Sequence, residues 1–135
     1  MNKHEIIEGV IQHVQFPKKG VMEVDGERIY IKNTLPGQKY RAKISKIKNG
    51  TIEAKIIDLL EKAPYEIETD CSHDLSCNGC TLRTMPHEEQ MALKVAQVRE
   101  LIDVHTTGYN FRGIYHGEKR NHYRNKMEYT FGDED

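Results

Sequence analysis

The three cysteines of this chain lie within ten residues, inside the segment DCSHDLSCNGC at positions 70–80. Their spacing is Cys71-x5-Cys77-x2-Cys80, and Gly79 lets the backbone bend so that the last two sulfurs can meet on one metal. A tetrahedral metal site needs four ligands, and the three thiolates supply only three of them. The segment therefore predicts a metal or cluster site whose fourth ligand lies elsewhere.

Several other roles for these thiols stay open. They could form one disulfide and one free thiol, or share no role, although the reducing compartment inferred below disfavours a disulfide. Zinc usually takes two cysteine pairs, or one pair with histidines at ligand spacing, and this chain offers one pair with His73 nearby. Iron–sulfur clusters are commonly held by several closely spaced cysteines and a remote one. The pattern favours an iron–sulfur cluster over zinc.

Composition limits the kind of protein that this can be. The 135 residues are 30% charged and 37% hydrophobic, without tryptophan, which suits one ordinary domain or two small ones. No apolar run reaches the roughly 18 residues of a membrane span, and MNKHEIIEGV lacks a secretion-signal pattern. We expect a soluble cytoplasmic protein, in which clustered cysteines are more often metal ligands or redox groups than disulfides.

The net charge of −1 hides an asymmetry between the two halves. Residues 1–60 contain eleven Lys and Arg against seven Asp and Glu, a net of +4. Residues 61–135 contain nine against fourteen, a net of −5. The basic half is the candidate for a polyanionic partner, although an ordinary solvated surface accounts for four surplus charges equally well.

Short β-branched runs separated by turn signals predict a mainly β fold for the first part of the chain. Asp25-Gly26 and Asn49-Gly50 are dipeptides that favour two-residue hairpins. The strands between the turns are expected at 5–14, in two runs within 21–31, and at 39–47 and 51–61. Five strands in about 60 residues predict a small closed or partly closed β-barrel.

The pattern changes after the barrel. Residues 62–83 lack periodicity and are expected to form a loop, whereas 86–104 has a helical pattern with Glu88 and Glu89 in its first turn. Its apolar residues recur at spacings of three and four and are expected to pack in a core: Met91, Val95, Val98, Leu101 and Ile102.

The segment NHYRNKMEYTF alternates polar and apolar residues and predicts a strand at 123–131. A lone strand is not stable in water without a partner. The pattern therefore favours a sequence that continues into a larger domain.

This order of features resembles the N-terminal region of the bacterial RNA (uracil-5-)-methyltransferases, in particular those that act on 23S ribosomal RNA. The motifs that carry the resemblance are CSHDLSCNGC and YRNKMEYTF. It implies a TRAM domain, an OB-like RNA-binding barrel, at 1–61 and an iron–sulfur loop at 62–83. Residues 84–135 would then hold the helix and the first strand of a truncated α+β central RNA-binding domain.

The resemblance also implies cofactors. Cys71, Cys77 and Cys80 match three ligands of a [4Fe-4S] cluster whose fourth ligand lies outside this chain. An open iron site is sensitive to oxygen, so a purified chain of this length can lose the cluster. S-adenosylmethionine is expected in the full-length enzyme only, because this chain has no glycine-rich cofactor loop. The chain alone is expected to be inactive, since no catalytic nucleophile or base remains.

Ribosomal RNA is the expected partner, with no membrane contact and a monomeric chain. Tyr30 could stack on a base, whereas Tyr40 alternates onto the same face as Ala42 and Ile44 and is expected in the core. The candidate RNA-binding residues combine cationic groups with one amide that could read a base: Lys18, Lys19, Arg41, Lys43, Lys46, Lys48, Arg124, Asn125 and Lys126.

The alternative function is a stand-alone RNA-binding protein with an OB fold and a structural zinc or no metal. The missing fourth thiol and the unpartnered strand at 123–131 count against it. Analysis of the metal bound to the cysteines would discriminate between the two hypotheses. Iron and sulfide would support the methyltransferase, whereas zinc or no metal would support the stand-alone RNA-binding protein.

Overall fold

The computed structural model describes residues 1–69, 71, 80, 82–119, 121 and 123–129. The fold is mainly β, with five strands and one helix in the described ranges. The elements are β1 Ile6–Gln15, β2 Lys19–Val24, β3 Glu27–Lys32, β4 Lys39–Lys48, β5 Thr51–Glu61 and α1 His87–Asp103.

The five strands close into a barrel in the order β1-β2-β3-β5-β4. Strand β4 pairs antiparallel with both β1 and β5, and this closes the sheet on itself. Strands β3 and β5 run parallel, with Ile29 opposite Ile52 and Ile31 opposite Ala54. Closure removes the unpaired strand edges on which open sheets aggregate, and the predicted barrel is confirmed.

Both predicted hairpin turns are confirmed. Asp25 and Gly26 have φ values of 51° and 78°, and Asn49 and Gly50 have 51° and 77°. Two successive residues with positive φ match the right-handed twist of the strands that they connect. The turns thus set the registers of β2 with β3 and of β4 with β5.

The core fills the inside of the barrel with aliphatic side chains. Along β4, Tyr40, Ala42 and Ile44 point inward and are buried, while Lys43 between them is exposed. This confirms the predicted alternation and the placement of Tyr40 in the core. The other buried members of the cluster are Ile7, Ile11, Val14, Met22, Ile29, Ile31, Ile52 and Ala54.

Gly20 on β2 lies against the buried Thr34, and a Cβ at this glycine would lie 1.8 Å from Thr34 Oγ1. We expect Gly20→Ala to lower the free energy of unfolding by about 1–3 kcal/mol, because a packed site must move to admit the methyl group. Urea unfolding followed by circular dichroism measures this loss. Gly117→Ala is the control, since nothing lies within 4 Å of its added Cβ. Equal stability of the two variants would contradict the packing at Gly20.

Helix α1 agrees with the predicted helix to within one residue at each end. Its apolar stripe, expected in a core, is not buried within the described residues: Val98, Leu101 and Ile102 are 45%, 48% and 36% exposed. That prediction was wrong, because α1 reaches the barrel through a polar residue. Gln97 is the buried residue of the helix, and its Nε2 donates to the carbonyl oxygen of Val14 at 3.1 Å.

The segment after α1 folds back along the helix. The hydroxyl of Tyr109 donates to a carboxylate oxygen of Asp103, and the guanidinium of Arg99 lies 5.1 Å from the ring centre of Phe111. Further back, the rings of His87 and His116 meet edge to face at 4.7 Å. These contacts run towards the start of the helix, so the segment returns antiparallel to it.

The predicted strand at 123–131 is not observed over the described residues 123–129, which are exposed and irregular. Phe131 lies outside the described residues. A strand needs a partner to be stable in water. The described strands all pair with one another within the closed barrel, so none is available to this segment.

Candidate functional site

Hydrogen bonds close the base of the segment between Ile67 and Thr84 that carries the cysteines, which we call the cysteine loop. The backbone N–H of Ile67 donates to the carbonyl oxygen of Thr84 at 2.8 Å. Next to this bond, the hydroxyl oxygen of Thr69 accepts from Arg83 Nε at 2.7 Å and from the N–H of Cys71 at 3.2 Å. The two chain segments that enter and leave the loop are therefore held side by side.

Two of the three cysteines are described, and both are free thiols. Cys71 is half-buried and Cys80 is exposed, and Cys77 lies outside the described residues. Arg83 Nη1 donates to the sulfur of Cys80 at 3.5 Å. Thiols are the donor type that iron–sulfur clusters use, and hydrogen bonds to ligand sulfurs tune such clusters. The chemistry of Cys71, Cys80 and Arg83 therefore fits a cluster at this loop.

A carboxylate connects the loop base to the barrel. Glu66 Oε1 accepts from Gln38 Nε2 at 2.9 Å and from the Thr84 hydroxyl at 2.6 Å, and its Oε2 accepts from the Ala63 N–H at 2.6 Å. Gln38 Oε1 in turn accepts from the Tyr40 hydroxyl at 2.7 Å. The barrel core, the segment after β5 that contains Ala63 and Glu66, and the loop base thus share one hydrogen-bonded network, which the sequence pattern alone did not reveal.

Two tyrosines close to Glu66 have raised pKa values. Burial, followed by the charge of Glu66, raises the pKa of Tyr40 to about 12. Burial and the same carboxylate raise the pKa of Tyr65 to about 12, and its hydroxyl donates to the carbonyl oxygen of Pro36 at 2.5 Å. Both phenols therefore stay protonated donors far above neutral pH.

Helix α1 is anchored to the same loop. The side-chain amide of Gln90 donates to the carbonyl oxygens of Leu82 at 3.0 Å and Met85 at 2.9 Å. Met85 is buried, and its N–H donates to Leu82 at 3.0 Å. The start of the helix is therefore tied to the end of the cysteine loop.

The predicted RNA-binding lysines of the barrel are distributed over two neighbouring grooves. Lys46 and Lys48 line one groove of about 320 Å³ at the β4–β5 hairpin, together with Asn49. Lys19 lines a second groove of about 300 Å³, in which Tyr30 also lies. Lys43 is exposed on β4, and Lys18 is exposed in the turn before β2.

Sequence reasoning missed two lysines of the second groove, Lys32 and Lys55. The signal was present in the spacing of Lys19, Lys32, Lys43 and Lys55, which recur every 11 to 13 residues. That interval is about the length of one strand with its turn. Residues spaced in this way can therefore lie at the same height on successive strands of a barrel.

Arg41 differs from the barrel lysines because its charge is already compensated. Its Nε lies 2.8 Å from Glu8 Oε1, and its Nη1 lies 3.4 Å from Asp58 Oδ2. The hydrogen bond and charge of Glu8 raise the pKa of Arg41, with a smaller contribution from Asp58. An incoming phosphate would have to compete with both carboxylates.

The second predicted group belongs to the segment 123–129, outside the strands of the barrel. Arg124, Asn125 and Lys126 are exposed. Lys126 Nζ lies 3.8 Å from a carboxylate oxygen of Glu128, and Arg124 Nη1 lies 4.0 Å from the sulfur of Met127. These three side chains are therefore accessible to a partner, and they lie on a segment separate from the barrel strands.

Within the described ranges, the structure has no helix that is long and apolar enough to cross a membrane. A scan against protein-family models finds no match to this chain. Identification therefore depends on individual relatives.

Proteins named uncharacterized RNA methyltransferases are similar to this chain along almost its whole length. Those of Clostridium acetobutylicum and Clostridium tetani are each 37% identical over 134 residues, and that of Caldanaerobacter subterraneus is 34% identical over 133 residues. Each alignment covers 98% of this chain but only 29% or 30% of the relative. The chain is thus a homologue of proteins named RNA methyltransferases and spans less than a third of their length.

Proposed function

We propose that this chain is the RNA-binding region of an S-adenosylmethionine-dependent RNA (uracil-5-)-methyltransferase that acts on 23S ribosomal RNA. The observation that carries the proposal is the similarity to RNA methyltransferases over 98% of the chain. The choice of uracil and of ribosomal RNA depends on the resemblance of the motifs CSHDLSCNGC and YRNKMEYTF to that family.

The barrel suits a module that grips RNA. Small OB-like barrels bind single-stranded nucleic acids by combining cationic groups for the phosphates with flat side chains for the bases. An enzyme that methylates C5 of uracil must take the base out of its stack, which costs a few kcal/mol. Contacts between RNA and residues such as Lys46 and Lys48 help to offset that cost.

The chemical step belongs to the remainder of the protein. There, a cysteine would add to C6 of the extruded uracil, C5 would take the methyl group from S-adenosylmethionine, and a base would remove the C5 proton, releasing the enzyme. The three cysteines of this chain are assigned to the loop instead. The chain therefore contributes recognition, and it is inactive without the rest of the protein.

Cys71, Cys77 and Cys80 would hold the [4Fe-4S] cluster, together with a fourth ligand outside this chain. When bound, the cluster would supply a covalent crosslink between the loop and the domain that donates the fourth ligand. Arg83 lies ready to stabilise the charge of the Cys80 thiolate, since its Nη1 donates to that sulfur at 3.5 Å. Thr69 holds Arg83 in this position through the bond to Nε.

Transfer of a labelled methyl group tests the proposed function. We expect the full-length protein to methylate C5 of a uridine in a 23S ribosomal RNA transcript, and the 135-residue chain to transfer nothing. Scintillation counting with nucleoside analysis by mass spectrometry measures the product. Reactions with transfer RNA and without S-adenosylmethionine are the controls. A methyl group on another base, or on transfer RNA alone, would contradict the assignment.

A further inference from the structure

Four lysines lie side by side across four neighbouring strands of the barrel. Lys19 on β2 is directly opposite Lys32 on β3, and Lys43 on β4 is directly opposite Lys55 on β5. Ile31 on β3 is paired with Ala54 on the parallel strand β5. Lys32 and Lys55 are the next residues along these two strands, so the pair Lys19–Lys32 lies beside the pair Lys55–Lys43. We call Lys19, Lys32, Lys55 and Lys43 the lysine row.

The lysine row lies on the outer surface of the barrel. Along β3 and β5 its members follow Ile31 and Ala54, which are buried in the core, so Lys32 and Lys55 take the opposite face. Lys32, Lys43 and Lys55 are exposed, and Lys19 is half-buried. The row is therefore accessible from solvent along one level of the sheet.

The charges of the lysine row are not compensated by ion pairs among the described residues. Glu53 is the carboxylate that lines the same groove, and it stands in register with Tyr30 and Lys46 instead. Like charges directly opposite each other destabilise a sheet. A surface needed only for solubility would intersperse both signs, as Arg41 does with Glu8 and Asp58.

An aromatic ring lies beside the row. Tyr30 is half-buried on β3 and lines the groove of about 300 Å³ with Lys19, Lys32 and Lys55. The ammonium group of Lys19 lies 5.3 Å from the centre of the ring. Cationic groups that follow a backbone, next to a flat side chain on which a base can stack, are the features of single-strand binding.

We propose that the groove at Tyr30 binds one unpaired nucleotide of single-stranded RNA, with its base stacked on the ring and its flanking phosphates on the lysine row. This inference rests on the proposed function and assigns its RNA contact to the outer surface of β2, β3, β5 and β4. A paired duplex does not suit the site, since a stacked base must first leave its partner. The bound phosphates would relieve the repulsion between the four ammonium groups.

Binding of a fluorescently labelled oligouridine of about twelve nucleotides to the 135-residue chain tests the stacking contact. We expect Tyr30→Ala to weaken binding about 5- to 150-fold in fluorescence anisotropy titrations, which corresponds to the stacking of one base. Tyr30→Phe keeps the ring and is expected to keep the affinity. Tyr115→Ala is the matched control, because Tyr115 is a fully exposed tyrosine that does not line the groove.

The variant Lys55→Gln tests the phosphate contact. It is expected to reduce the slope of log K against log salt by about 0.7, the value for one phosphate contact on a single strand. It is also expected to raise the Tm of the free chain by about 1–4 °C at low salt, because the repulsion with Lys43 is removed. Lys94→Gln on the exposed side of α1 is the control for both measurements.

The outcomes separate this site from the proposed function. Weaker binding by Tyr30→Ala, with a smaller salt slope and a higher Tm for Lys55→Gln, supports the site. If the wild-type chain binds the RNA and both variants behave like their controls, the site is overturned and the proposed function stands. If the wild-type chain binds no RNA, both are overturned.

Discussion

The variant Cys77→Ser is expected to abolish cluster assembly in the full-length protein. Anaerobic reconstitution of the wild type with iron and sulfide should give about four of each per chain, the content of one [4Fe-4S] cluster. The serine variant would lose one of the proposed thiolate ligands, and a hydroxyl oxygen is a poor substitute for a thiolate. Iron and sulfide analysis and the visible absorption of the cluster measure the loss.

Ser76→Ala is the matched control for Cys77→Ser, because it changes the preceding hydroxyl residue and leaves all three thiols in place. Its iron content should equal that of the wild type. One zinc per chain, or no metal in the reconstituted wild type, would contradict the cluster and support the alternative of an RNA-binding barrel with a structural zinc or no metal. Full iron loading of Cys77→Ser would remove Cys77 from the ligand set.

The second large effect is expected at Glu66. Glu66→Ala removes the acceptor for three donors, namely Gln38 Nε2, the Thr84 hydroxyl and the Ala63 N–H. A buried donor left without a partner costs about 1–3 kcal/mol, and these sites are only partly buried. We therefore expect the free energy of unfolding to fall by about 2–4 kcal/mol, measured by urea unfolding of the 135-residue chain.

Glu68→Ala is the control for Glu66→Ala, since Glu68 is an exposed glutamate two residues further along the chain. It should change the free energy of unfolding by less than about 0.5 kcal/mol, as is usual for surface substitutions. Similar losses in the two variants would show that the network around Glu66 does not stabilise the fold. A loss confined to Glu66→Ala would show that the network around Glu66 stabilises the fold.

The network also connects the base of the cysteine loop to the core of the barrel. Glu66 joins the loop base at Thr84 to Gln38, and Gln38 joins it to Tyr40 in the core of the barrel. Catalytic and binding groups are positioned best when side chains behind them are locked by packing and hydrogen bonds. A ligand set on this loop would therefore be oriented relative to the proposed RNA-binding surface of the barrel.

Local signals in the sequence determined the strands, the hairpin turns and the inward side of β4. Asp25-Gly26 and Asn49-Gly50 adopt the positive φ values that their turns require, and alternation placed Tyr40 and Ala42 inside. The start of the helix followed from Pro86 and the acidic first turn, and its end from Thr106-Thr107-Gly108. These features depend on neighbours in sequence, so the sequence alone was sufficient for them.

Only the tertiary structure decided which strands became neighbours. The parallel pairing of β3 with β5 places Ile31 opposite Ala54 and so brings the next residues, Lys32 and Lys55, to the same level of the sheet; no local pattern encodes that pairing. The acceptor role of Glu66 also depends on the approach of Gln38, which is 28 residues away in sequence.

The two wrong expectations have the same origin. The stripe of α1 and the alternation at 123–129 describe surfaces that are able to pack, but whether another element covers them depends on the rest of the fold. In the described residues, Gln97 makes the buried contact of the helix with the barrel, and the segment 123–129 has no partner strand. Periodicity determines which side of an element is apolar, whereas burial is decided by long-range contacts.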